Sequence, residues 1–407
     1  MKKPEFIKTL TGYSFLFTEE HIKINMERVD KDAEGEFWCW YQDSEGDRLF
    51  EVSHLNLLST AAKKSLATRL KENLGVDWTT ILTYVAAITL TESRKGNPVV
   101  QLNGDQDIQP IEFQIAPILE LNQPTTIYAP GGSAKSYLAD YIAVSVQSGS
   151  DSLHWIPRQG NVLYLDWESS ENDHRRRMKA ISTGLGLDTA PGVFYRLCSQ
   201  PLVSELFTIQ QIVFDCEIKL VIIDSMMAAE EAIPDAAQRA SRYYNGLRTL
   251  NCTSLTIDHV NREDWKTKGE QGPYGTVVKW NRSRSQFELR KSQTPGLSSL
   301  ELSLIHRKHN EGLLMKPIGI RINFINEEHV LQKVLFENAD LSANPDLAKT
   351  MRDYDRYIAL LSNGPVSQEE LAEMMEKSEN QVRAYLGKYK DAFCRQGDYW
   401  ELVSHET

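Results

Sequence analysis

The sequence predicts an α/β protein whose main domain carries a mostly parallel sheet. Three observations predict it. Apolar runs of strand length at 162–166, 193–197, 220–224 and 254–259 are near-continuous rather than alternating, as in strands buried on both faces. Charged segments of helical spacing lie between them, at 174–184, 207–216 and 235–250, so strand and helix take turns as in crossover units. Ahead of these, Thr126, Ile127 and Tyr128 run through Ala129, Pro130, Gly131, Gly132, Ser133 and Ala134 into a helix opening near Lys135 and Ser136. That is the strand–loop–helix order of a turn whose backbone N–H groups cradle phosphate.

Taken in order, residues 1–110 read as a small α+β domain. Strand-like alternation at 13–17, 22–26, 37–41 and 48–52 is punctuated by polar turns, as in an antiparallel meander. Ser59 caps a predicted helix over 60–72 and Asp77 another over 78–95. Trp38, Trp40 and Tyr41 lie on one strand; such aromatics are expected in the core, a base-stacking platform being the alternative. The main α/β domain spans 111–337, and beyond 276 further strands at 286–290, 300–306 and 318–324 extend its sheet on one edge. Residues 338–349 have linker composition. Residues 350–407 read helix, helix at 368–375, turn, helix at 381–390 and a strand around 399–403, the order of a winged-helix-like unit. Gln381, Arg383 and Lys388 are expected on the outer face of its recognition helix. Arg383 is then a nucleic-acid candidate, and docking of a protein is the alternative.

Composition narrows the classes. A net charge of −11 argues against a surface that coats nucleic acid indiscriminately, though a basic loop within an acidic chain still suffices for binding. Five scattered cysteines without CxxC spacing suggest neither a disulfide framework nor a zinc site, which suits a reducing cytoplasm. The longest apolar run, 78–90, is too short to span a bilayer, and MKKPEFIK lacks the apolar region of a signal peptide, so no membrane partner is expected.

The chemistry-bearing residues sit at strand ends. The stretch APGGSAKSY, Ala129 to Tyr137, places Lys135 to neutralise the β- and γ-phosphates of a nucleotide and the Ser136 hydroxyl where a Mg²⁺ ligand belongs. It departs from GxxxxGK[ST] in having Ala129 and Ala134 where glycines stand, Gly131 and Gly132 remaining as permissive positions. Asp224 closes LVIID as the acid that holds Mg²⁺, often through water. Asp166 and Glu168 end VLYLDWE on the same side of the strand, and Glu168 is the candidate general base. His259, ending LTIDH, is a candidate γ-phosphate sensor, a structural role being the alternative. Arg307 and Lys308 are candidates for a cation reaching the γ-phosphate of a neighbouring subunit, with Lys279, Arg282 and Arg284 as rivals. The polar loop 261–275 holds Lys266 and Lys268, which together with Lys279 and Arg282 are candidates for nucleic-acid contact.

APGGSAKSYLA, VLYLDWESSENDHRRRM, LVIIDS, LTIDHV, GPYGTVVKWNRSRSQFELR and LIHRKHNEG together resemble the RecA-like P-loop ATPase domain of phage- and plasmid-borne proteins similar to the RepA-type hexameric replicative helicases. The resemblance covers about 111–336. It implies ATP and Mg²⁺ held by Lys135, Ser136 and Asp224, Glu168 as base, His259 as sensor, an intersubunit finger near Arg307 and Lys308, and a homo-oligomeric ring, often a hexamer, with ATP between subunits. Where that family commonly carries Lys-x-Arg at the finger, this chain reads Arg307-Lys308-His309. The function so implied is a Mg²⁺-dependent ATPase acting as a DNA helicase or translocase on single strands in replication of a mobile element. The alternative is a nucleotide-switched DNA-binding regulator or helicase loader with slow turnover, whose C-terminal unit meets an origin or a replication protein.

Overall fold

The computed structural model describes residues 2–9, 11–43, 46–72, 74–96, 99–103, 110–260, 277–328 and 330–403. They form two compact units, residues 1–110 with 206–215, and residues 111–205 with 216–407.

In the first unit five antiparallel strands pair in sequence order: β1 (Glu5–Lys8), β2 (Gly12–Phe17), β3 (Ile22–Glu27), β4 (Glu34–Asp43) and β5 (Gly46–Asn56). Helices α1 (Thr60–Lys71) and α2 (Trp78–Arg94) start where Ser59 and Asp77 accept N–H bonds from Ala62 and Thr80. Their apolar stripes share a core with Phe15, Phe17, Ile22, Ile24, Met26, Phe37 and Cys39. The core expectation for the tryptophans is corrected here. Alternation along β4 turns Phe37 and Cys39 inward, which puts Trp38 and Trp40 on the opposite face. There they are half-buried, their rings stacked at 6.1 Å, with Lys23 Nζ 5.5 Å from the Trp40 ring centroid.

In the second unit, β6 (Phe113–Ala116), β7 (Leu119–Glu120) and β9 (Ile156–Pro157) form a small antiparallel sheet. The main sheet runs β11-β10-β12-β13-β8-β14-β15-β16-β17 among the described residues. Its parallel part comprises β8 (Pro124–Ala129), β10 (Asn161–Asp166), β11 (Phe194–Leu197), β12 (Ile218–Asp224), β13 (Thr253–His259) and β14 (Ser285–Ser292). The crossovers carry α3 (Lys135–Ser148), α4 (Glu171–Gly184), α5 (Leu202–Asp215, whose residues 206–215 group with the first unit), α6 (Met226–Ala229) and α7 (Ala236–Thr249), and α8 (Val277–Arg282) leads into β14. Antiparallel strands β15 (Ser299–His309), β16 (Ile318–Glu327) and β17 (Val330–Asn338) complete one edge. The parallel strands of this mixed α/β sheet are buried on both faces, with polar groups such as Thr126, Thr256, Asp258, Gln286 and Glu288 buried beside the apolar ones. Strand β17 is one the sequence reading did not single out. It packs on the end of α4, where a Cβ on Gly184 would meet the Val334 carbonyl oxygen at 1.8 Å.

Residues of linker composition are folded. Asp340 caps a 3₁₀ turn, Leu341–Ala343, and Asn344 caps α9 (Pro345–Ala348), with Leu341 and Leu347 buried. The C-terminal unit then has α10 (Asp353–Leu361), β18 (Val366–Ser367), α11 (Gln368–Met375), α12 (Glu379–Leu386), β19 (Phe393–Gln396) and β20 (Tyr399–Leu402). Both α11 and α12 open on capping boxes, Ser367 with Glu370 and Ser378 with Gln381. Val382 and Leu386 face a separate core around Tyr357, Phe393 and Trp400, leaving Gln381, Arg383 and Lys388 exposed.

Candidate nucleotide site

The parallel pairing gathers the strand-end residues along one edge of the sheet. Asp166 lies opposite Asp224, and His259 opposite Ala129, where the chain turns into the phosphate loop. Ligands of open α/β sheets bind outside these carboxyl ends. Here a cavity of about 340 Å³ is lined by Gly132 through Tyr137, Glu168, Arg177, Asp224, His259, Leu300 and Phe324.

The loop takes the shape that phosphate binding needs despite its alanines. Gly132 has φ +73°, and Ala134 itself is left-handed, with φ +63° and ψ +21°. An L-residue there is strained by about 1–2 kcal/mol. Ser133 Oγ ties the turn by donating to the Pro130 carbonyl at 2.7 Å. No side chain caps α3, so its first-turn N–H groups face the cavity edge without a competing acceptor, which favours an anion. Buried Lys135 donates to the carbonyls of Ala129 (3.0 Å) and Pro130 (2.9 Å). Burial lowers its pKa against the attraction of Asp224, Glu168 and Asp258.

The adjoining wall suits a small hard cation. Ser136 Oγ donates to Asp224 Oδ2 at 2.7 Å, and Tyr164 donates to the same oxygen at 2.9 Å. Two oxygen ligands side by side, with no nitrogen or sulfur donor, match Mg²⁺. Among the described residues there is no group of three or more His, Cys, Asp or Glu that could hold a metal ion. Burial raises the Asp224 pKa, with the Ser136 and Tyr164 hydrogen bonds opposing it.

Glu168 stands across the cavity. It accepts from Ser225 Oγ, lies 3.3 Å from His259 Nε2, and is held below the usual carboxylate range first by the His259 hydrogen bond. Its carboxylate is therefore ionised at neutral pH and lines the cavity. Asp166 does not enter the cavity. Its Oδ1 accepts the backbone N–H groups of both Glu168 and Ser169 at 2.9 Å, fixing the turn that presents Glu168.

Other expected residues lie elsewhere. Lys279 is buried rather than available to nucleic acid, a correction with a clear cause: its ammonium lies 3.1 Å from buried Asp258 and 3.6 Å from Glu230, which Arg239 also approaches at 3.7 Å. Arg282 is half-buried and donates to Asn245, and Arg383 is exposed on α12. Arg307 pairs with Glu288 at 2.6 Å, and Lys308 donates to the carbonyls of Trp280, Asn281 and Ser283. Neither lines the cavity of its own chain. Arg284 pairs with Glu311. Lys266 and Lys268 lie outside the described residues.

Arg177, Leu300 and Phe324 line the site without having been singled out. Arg177 reaches over the Tyr137 ring at 5.1 Å, and Tyr137 meets Phe324 edge-on at 5.2 Å. Within HRRRM, the signal for Arg177 is its three-residue spacing from buried His174, which puts both on the inner face of α4.

An AAA domain family model matches residues 91–264. Among solved structures, a KaiC-like protein of the hyperthermophilic archaeon Pyrococcus horikoshii is similar at 13% identity, over 56% of this chain and 99% of that one, with a TM-score of 0.38. A comparison with curated proteins returns no match. Among the described residues no helix is long and apolar enough to cross a membrane. With the phosphate loop, the acid beside Ser136 and the sheet order that unites them, this chain has an α/β core of RecA-like P-loop fold.

Proposed function

We propose that this chain is a Mg²⁺-dependent ATP hydrolase that works as a ring-forming motor on single-stranded DNA, in the cytoplasm, in replication of a mobile element. The observation that carries the hydrolase part is the convergence of Lys135, Ser136, Asp224, Glu168 and His259 on one cavity. Lys135 and the N–H groups at the start of α3 bind the phosphates, and Ser136 with Asp224 holds the cation. When bound, Mg²⁺ neutralises charge on the β- and γ-phosphates. Glu168 orients the attacking water and takes its proton, while His259, 3.3 Å away, ties Glu168 to the end of the neighbouring strand. Tyr137, Phe324, Leu300 and Arg177 offer an aromatic and cationic surface to the rest of the nucleotide.

The ring is supported by what the cavity contains. Among the described residues its lining cations are Lys135 and Arg177, and a second copy would add a cation at the far side of the γ-phosphate, with Arg307 and Lys308 as candidates. Lys266, Lys268, Arg282 and Arg383 remain candidates for DNA. The second reading, a nucleotide-switched regulator or loader, is favoured by the internal engagement of Lys279, which removes one candidate cation from any DNA path.

ATP hydrolysis with and without single-stranded DNA, together with the mass in solution with ATP, tests this. Turnover stimulated at least tenfold in a ring-sized species supports the motor. Slow, unstimulated turnover supports the switch, and no turnover refutes both.

A further inference from the structure

Beside the nucleotide cavity lies a buried cluster whose centre, His174, is not among the residues lining that cavity. His174 sits on the inner face of α4 with 2% of its surface exposed. Its Nδ1 is 2.7 Å from Asp140 Oδ1, and its Nε2 is 3.4 Å from Asp166 Oδ2. Both carboxylates are fully buried. Tyr164 packs on the imidazole at 4.3 Å and Tyr195 at 5.6 Å, and Tyr195 also donates to Asp166.

The two carboxylates belong to opposite halves of the site. Asp140 is four residues beyond Ser136 on α3, on the same helix face as the cation-holding hydroxyl. Asp166 closes β10 and accepts the N–H groups of Glu168 and Ser169. One ring therefore joins the element that holds phosphate to the turn that presents the base. Burial works against a charged His174, but Asp140 and Asp166 on either side outweigh it and raise its pKa to about 9, so an imidazolium lies between two buried carboxylates that would otherwise repel. Arg177 is the other cation near Asp140, at 3.7 Å, and it does not reach Asp166.

We propose that His174 is a positioning residue for hydrolysis, bridging Asp140 to Asp166 and so fixing Glu168 relative to the phosphate loop. This rests on the hydrolase reading above. A base displaced by about 1 Å loses on the order of 100-fold in rate while the nucleotide still binds through the loop.

The test uses the full chain, with His174→Asn, Asp166→Asn and the double variant, ATP turnover, and the Kd of a fluorescent ADP analogue. The expected result is a kcat lowered about 10- to 100-fold in each, a Kd within about threefold of wild type, and a double variant no slower than the slower single, because the pair acts as a unit. A His174→Asn kcat within twofold of wild type overturns the proposal, and so does a loss of kcat matched by the loss of ADP binding. If His174→Asn does not fold, Asp166→Asn and Asp140→Asn, which keep side-chain shape, decide by the same split between kcat and Kd. A wild-type chain that hydrolyses no ATP overturns the hydrolase reading itself, whereas an active wild type with an equally active His174→Asn overturns this inference alone.

Discussion

Replacing Lys279 with Met removes the cation that, among the described residues, pairs with both Asp258 and Glu230, leaving Glu230 with Arg239 at 3.7 Å. Lys279 Nζ lies 3.1 Å from Asp258 and 3.6 Å from Glu230, with side-chain exposures of 5%, 1% and 6%. At an effective dielectric constant of about 20, each attraction is worth about 5 kcal/mol before desolvation. Breaking a buried pair from one side costs about 3–5 kcal/mol, because the remaining charge is stranded. Lys279→Met is therefore expected to lose about 3–5 kcal/mol of stability near pH 8, read from urea midpoints. Burial already raises the Asp258 pKa, with Lys279 opposing, and likewise that of Glu230. Without Lys279 both rise further. A carboxyl whose folded pKa exceeds its unfolded value binds the proton more readily when folded, so that state gains stability as pH falls. The deficit of the variant should shrink between pH 8 and pH 5. A variant as stable as wild type at pH 8 but weaker on DNA would refute this reasoning and return Lys279 to the nucleic-acid path; a deficit independent of pH would refute its electrostatic part.

Three further outcomes follow from the site. Glu168→Gln should cut ATP turnover by about 10²- to 10⁴-fold while ADP binding persists, since the change removes the carboxylate proposed to orient the water and leaves Lys135 and the start of α3 intact. Asp224→Asn keeps an acceptor for Ser136 and Tyr164 but loses the anionic ligand, so the Mg²⁺ concentration for half-maximal turnover should rise at least tenfold in a metal titration. Ala134→Gly relieves a left-handed alanine worth about 1–2 kcal/mol. It returns about 0.5–1 kcal/mol through the freer unfolded chain, so a gain of up to about 1 kcal/mol is expected in nucleotide-free denaturation.

What was legible in the chain was what a single segment dictates. The phosphate loop, the apolar strands ending in Asp166, Asp224 and His259, and the caps Ser59 and Asp77 are each written within a dozen residues, and the structure has them in those places. What was not legible depends on partners far along the chain. Lys279 reads as one cation among several beside a polar loop; only the meeting of β13, α8 and the residue after α6 surrounds it with carboxylates 21 and 49 positions away. Arg177 hides in a charge run whose neighbours Arg175 and Arg176 are exposed. Trp38 and Trp40 were assigned by residue type, whereas the side of a strand is decided by register, and Phe37 and Cys39 hold the inner one.

Ala134 carries the same distinction to the level of one dihedral. The residue before the lysine of a phosphate loop is commonly glycine because the turn needs a left-handed backbone there, and the fold imposes that conformation on this alanine at φ +63°. Its methyl rests against the main core as a partly buried group, so packing repays part of the strain. The motif is thus a requirement on backbone angle and room, which glycine meets most cheaply. An alanine at that position lowers the stability of the nucleotide-free loop, and it does not by itself remove the phosphate-binding geometry on which Lys135 and Ser136 depend.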